Sequence, residues 1–183
     1  MDIFRLIADS NHYEAAWPVD SESFSLFGTF DGRSQLPWTS PLMWPFGSED
    51  QRGVESPLPQ GDLASPLSRL PVFSSRAVDV LRPMLEAAGE ILPLDCPGRR
   101  YFAFNVTRVV DALDESRSIL KRFSDGSVMR IVEPHFKREA LEDAHIFKVS
   151  QLRTVVFVDG VFRECTLEGE LKGFLFEKVW THS

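Results

Sequence analysis

The chain has 183 residues, 43% of them hydrophobic, and a formal net charge of −7. Such a chain can bury one domain-sized core, while its acidity argues against a nucleic-acid binder, which needs a lysine and arginine surplus on at least one face. No stretch reaches the roughly 20 apolar residues of a membrane span, so no membrane association is expected.

The acid is unevenly placed. Residues 1–70 hold ten Asp and Glu against four Arg, whereas residues 71–183 hold 17 against 16. An acidic region of that kind either steers a basic protein towards it or serves only solubility. The start, MDIFRLIADS, has no cationic lead into an apolar run, which points to a cytoplasmic location. Cys96 and Cys165 lie far apart and form no CxxC pair, so they read as two thiols rather than a disulfide scaffold.

In chain order, the opening DIFRLIAD suggests a short strand. SFSLFGTF (23–30) alternates Phe24 and Leu26 and runs into Asp31-Gly32, which predicts a strand followed by a hairpin turn. Seven of the twelve prolines fall in 37–71, so a long loop is expected there. That loop is too apolar for a solvated linker, since it holds Trp38, Trp44 and Phe46. These aromatics either cover the protein's own sheet or anchor a partner, with Glu49 and Asp50 as an acidic rim.

Residues 74–89 predict the main helix: Val78, Leu81, Leu85 and Ala88 recur at helical spacing, Ser74 or Ser75 can cap it, and Gly89 suits its exit. Pro83 predicts a kink or break between Asp79 and Pro83. Two hairpins are expected next, one turning at Pro97-Gly98 and one at Asp125-Gly126. Residues 135–144 predict a short helix, HIFKV and TVVFVD two strands, Asp159 the cap of a helix closed by Gly169, and LKGFLFEKVW a last strand with Phe174 and Phe176 on one face. The class is α+β: a predominantly antiparallel sheet with a few short helices, in one folded unit over 1–183.

Asp111, Asp114 and Glu115 form the best acidic cluster. Asp111 and Asp114 would share a face of a helix and could serve a hydrolase, or ALDESRS is a turn whose acids bond free backbone amides. No histidine occurs between His12 and His135, and no zinc spacing, GxSxG, GxGxxG or GxxxxGK[ST] is present, so no metal, cofactor or catalytic residue is assigned.

From about Leu70 to Trp180 four blocks, LPVFSSRAVDVLRPML, YFAFNVTRVVDALDESRS, HIFKVSQLRTVVFVDGVF and LKGFLFEKVW, occur in order. Together they resemble the Imm11 family of bacterial immunity proteins. The resemblance rests on Ser75, Asn105, Asp111, Leu113, Asp114, Ser118, Phe147, the Val155 to Asp159 strand, Leu171, Gly173, Phe174 and Phe176, while the acidic, loop-rich N-terminal third, residues 1–70, matches only loosely. It implies a non-enzymatic, cytoplasmic immunity protein of a polymorphic toxin system, which binds a cognate toxin and blocks it. It also implies that Asn105, Asp111, Asp114 and Ser118 are scaffold residues. A hydrolase using Asp111 and Asp114 and an accessory protein of a secretion system are the competing readings, and homo-oligomerisation stays open.

Overall fold

The computed structural model describes residues 1–53 and 55–182. In chain order its elements are β1 (Asp2–Ala8), β2 (Ala15–Pro18), α1 (Ser21–Phe27), β3 (Met43–Phe46), β4 (Val72–Ser74), α2 (Ser75–Glu86), β5 (Gly89–Pro93), β6 (Tyr101–Val106), β7 (Val109–Val110), β8 (Ile119–Arg122), β9 (Val128–Glu133), a 3-10 turn (Arg138–Leu141), β10 (Ile146–Val149), β11 (Leu152–Asp159), α3 (Gly160–Glu168) and β12 (Phe174–Thr181). A five-stranded sheet runs β12-β1-β11-β10-β7 and a three-stranded sheet runs β4-β6-β5, with β2–β3 and β8–β9 as two-stranded ribbons. Among the described strands only β7 and β10 pair in parallel, so the class is α+β. No helix among the described residues is long and apolar enough to cross a membrane.

Alternation along the strands sorts the core into layers. In β1, Ile3 turns to one face of the large sheet, and Phe4 and Leu6 to the other. Phe4 and Leu6 join Val156 and Val158 of β11, Leu81 and Leu85 of α2, Phe162 of α3, and Phe73 and Phe104 of the small sheet. Ile3 instead joins Phe147, Phe157 and Phe136, covered by Ile131 of the β8–β9 hairpin. The far face of the small sheet, through Val72, Tyr101 and Ala103, packs on Ala16, Phe27, Phe30 and Met43 from the N-terminal third. The resulting stack has the β2–β3 ribbon with α1 in one outer layer and the β8–β9 hairpin in the other. Residues 1–70 do not stand apart, because β1 is the second strand of the large sheet.

Local chemistry explains most of these elements. Ser74 accepts from the Ala77 amide and Asp159 from the Phe162 amide, each satisfying a free donor at a helix start. Gly98 and Gly126 take positive φ at the two hairpin turns, as expected. Three expectations are corrected. Residues 21–27 are helical, not a strand, because the Asp20 side chain caps the Ser23 amide at 2.7 Å, and the buried pair Ser23 and Phe27 follows a spacing of four, not two. Of the kink or break expected at Pro83, the break does not occur: the helix continues through Pro83 to Glu86, and both Pro83 and Asp79 are exposed, so the carbonyl left without its intrahelical donor is on the solvent side. Only a 3-10 turn forms within 135–144, where Lys137 offers no side-chain cap and Asp143 turns to a φ of 58°.

Candidate functional site

Two tryptophans meet on the β2–β3 ribbon. Trp17 stands directly opposite Trp44, and Ala15 opposite Phe46. Opposed residues share a face and the side-chain period is two, so Trp17, Trp44 and Phe46 project to one side. Ala16, Met43 and Pro45 fill the other side, which is buried. The ribbon extends by one more residue pair, with the Val19 amide donating to the Leu42 carbonyl at 3.2 Å. Phe24 from α1 packs beside Trp17 at 6.1 Å between ring centroids, and Phe46 packs on its other flank at 6.0 Å.

The outer side of this ribbon is open. Trp17 is 40% exposed, Trp44 39% and Phe46 52%, and Val19, Phe24 and Leu42 are exposed beside them. Monomeric proteins rarely leave a contiguous apolar patch of this kind uncovered, and aromatic patches with a polar rim mark protein contact sites. The rim here is acidic at both ends. Asp20 and Glu22 follow Val19, and the Ser23 amide holds the Asp20 carboxyl below its usual range. Glu49 and Asp50 follow Phe46 in a turn built on Gly47, whose amide donates to the Gln51 side chain at 2.7 Å and whose carbonyl accepts from Leu58 at 2.8 Å.

Two hollows flank the ribbon. One, of about 230 Å³, is walled by Trp17, Phe46, Tyr13 and Leu58 over Ala15. The other, of about 440 Å³, lies between Trp44, Glu49, Asp50 and the Pro97-Gly98 turn, with Arg99 at its base. Only the second hollow joins an aromatic wall to carboxylates, which suits a long cationic side chain whose stem packs on Trp44 while its charge meets Glu49 and Asp50.

Trp44, Phe46, Glu49 and Asp50 thus come together on this face, whereas Trp38 does not. Its indole Nε1 donates to the Pro93 carbonyl at 2.8 Å and its ring meets Phe30 edge-on, so Trp38 is half-buried structure. Reading the sequence missed Trp17, Val19, Phe24 and Leu42. A signal existed: AWPV (16–19) and MWPF (43–46) share one pattern, and a proline within a short apolar run suits an edge strand.

Within the acidic cluster at 111–115, Asp111 and Glu115 both accept from the Gln151 side-chain amide, at 3.2 and 3.1 Å, while Asp114 does not join them. Asp114 sits in a turn, accepting from the Ser116 hydroxyl at 2.6 Å and the Ser116 amide at 3.1 Å, contacts that hold its carboxyl below the usual range. Ser118 closes that turn, donating to the Asp114 carbonyl at 2.7 Å and accepting from the His135 amide at 2.9 Å. Asp111 faces elsewhere, towards Ser150, Gln151 and Lys137. Arg122 engages Glu115 at 2.6 Å and holds its carboxyl low. The open cleft that Asp114 lines with Arg117, His135 and Trp180 does not include Asp111. Among the described residues no group of three or more His, Cys, Asp or Glu is placed to hold a metal ion.

Asn105, Gly173 and Phe174 of the ordered blocks make contacts inside the fold. Asn105 is fully buried in β6 and ties the 31–38 loop down, donating to the Arg33 carbonyl at 2.7 Å and the Glu90 carboxylate at 2.8 Å. Gly173 has a φ of 84° and hands its carbonyl to the Asp9 amide at 2.9 Å. Phe174 stacks on both Phe73 and Phe176. Cys96 and Cys165 are free thiols in different core clusters, and burial pushes Cys96 up to about 11.

The family model of Imm11, described as an immunity protein family, matches residues 93–181. No curated protein matches the chain.

Proposed function

We propose that this chain, whose residues 93–181 match the family model of Imm11, described as an immunity protein family, is an immunity protein that binds a cognate toxin protein and blocks it by surface contact. The observation that carries this reading is the exposed ring set of Trp17, Phe24, Trp44 and Phe46 with acids at both ends of its ribbon. Aromatic side chains at the centre of a patch supply most of the affinity, and a charged rim supplies steering and selectivity. The preferred toxin surface is therefore basic, with a long cationic side chain that can enter the hollow beside Trp44, Glu49 and Asp50. Cytoplasmic action, without turnover or cofactor, is part of the same proposal. The separation of Asp111 from Asp114 gives the hydrolase reading no geometric support.

The test is co-expression with the toxin encoded beside this chain. Growth should be rescued and a complex should co-purify, and Trp44→Ala with Phe46→Ala should weaken that complex while leaving the circular dichroism spectrum unchanged. Absence of both rescue and complex rejects the proposal.

A further inference from the structure

The opposite outer layer carries a second exposed apolar face. The β8–β9 hairpin buries Ile131 against the large sheet and turns Ile119, Phe123, Met129 and Val132 outward, each between 40% and 52% exposed. Two bulges leave Val132 and Met129 of β9 without partners in the ladder, which twists the ribbon and pushes those side chains out. Lys121 stands directly opposite Arg130 on the outer face. Like charges placed so destabilise a ribbon, and neither cation is paired with a carboxylate among the described residues, whereas the adjacent Arg122 engages Glu115. This face is thus apolar with two positive charges outside any ion pair and one acid, Glu133, opposite Ile119 at its end.

Its complement is on the same chain. The β2–β3 face is apolar and aromatic with Asp20, Glu22, Glu49 and Asp50 around it. The two faces occupy opposite outer layers and pack in separate core clusters, so they cannot meet within one copy. We infer that the chain self-associates head to tail, the β8–β9 hairpin of one copy docking on the β2–β3 face of the next. Two different surfaces make a heterologous contact, which leaves a free face at each end and grows with concentration instead of stopping at a dimer. Rim ion pairs make it sensitive to salt. A toxin bound to the β2–β3 face would compete with the neighbouring copy, but self-association itself requires no toxin.

Sedimentation of the purified chain, without toxin, tests this. From about 5 to 200 µM protein, the range of weak association, the average mass should climb past twice that of the monomer in roughly 50 mM salt and fall back in roughly 500 mM salt. Lys121→Glu with Arg130→Glu should remain monomeric, as should Trp44→Ala with Phe46→Ala. Mixed together, the two variants should form a one-to-one pair and nothing larger, since each retains one intact face. A monomer throughout the range overturns the inference, and so does an oligomer that survives both double substitutions.

Discussion

The carboxylate of Glu14 and the guanidinium of Arg99, 85 residues apart, form a two-pronged ion pair, with Nε to Oε1 at 2.5 Å and Nη2 to Oε2 at 2.8 Å. Glu14 is fully buried, and the Tyr101 hydroxyl donates to it at 2.9 Å. The pair joins the N-terminal third to the region matched by the family, and Arg99 also reaches Asp50 at 3.5 Å, under the acidic turn of the aromatic face.

Removing the arginine should therefore be severe. Arg99→Ala leaves the Glu14 charge buried and uncompensated, and should destabilise the protein by about 3 to 5 kcal/mol in chemical denaturation. Arg99→Lys should recover only a fraction of that, since an ammonium cannot reproduce the planar two-pronged contact. Equal stability of Arg99→Ala and the native chain would contradict this role.

The tryptophans should separate by function. Trp17→Ala and Trp44→Ala should each weaken the proposed toxin complex by about 2 kcal/mol, roughly 30-fold in Kd, with a smaller loss of stability than Trp38→Ala, because Trp17 is 40% and Trp44 39% exposed. Trp38→Ala should instead lower stability by about 2 kcal/mol, through lost packing on Phe30 and a lost hydrogen bond to Pro93. Thermal melts alongside calorimetric titration distinguish the two outcomes.

Gly89 opens β5 against the backbone of β6. A Cβ there would lie 2.0 Å from the Asn105 carbonyl oxygen and 2.9 Å from its carbon. Backbone cannot yield as a side-chain tip does, so Gly89→Ala should destabilise by about 3 kcal/mol or more. Because Asn105 anchors the 31–38 loop, this variant should also speed proteolysis within that loop. Native-like melting of Gly89→Ala would show that the two strands can move apart.

Lys148 is fully buried in β10, its Nζ donating to the Phe30 carbonyl at 2.6 Å. Burial pushes its ammonium down to about 8, with Asp31 pulling upward and Arg69 and Arg153 adding to the depression. Between about pH 8 and the ordinary lysine value of 10.5 the unfolded chain holds a proton here that the folded chain has released. Stability from this group should consequently rise with pH across that window, by on the order of 1 to 3 kcal/mol. Lys148→Met should flatten the slope measured from about pH 7 to 9.5. Cys96 and Cys165, whose thiols burial pushes above their ordinary value of 9.0, oppose the trend at the upper end of that range, so the Lys148 contribution is read as the difference between the native and Lys148→Met slopes.

Much of the α+β framework was legible because its signals are local. Asp125-Gly126 and Pro97-Gly98 accept the backbone angles of a tight turn whatever surrounds them, and Ser74 and Asp159 cap helices through amides only three residues away. Residues 23–30 misled for the same reason: the local alternation of Phe24 and Leu26 imitates a strand, while the Asp20 cap and the burial of Phe27 against distant residues select a helix.

The sequence alone determined the class, the hairpins, the acidity of the first 70 residues and the blocks that resemble an immunity family, all of which follow from residue type and short spacing. Tertiary structure alone decided that Trp17 faces Trp44, that Trp38 turns inward, that Glu14 meets Arg99 and that Asp111 and Asp114 diverge. Those outcomes depend on which strand lies beside which and in what register, and register is set by burial of whole faces, a property no short stretch of chain contains.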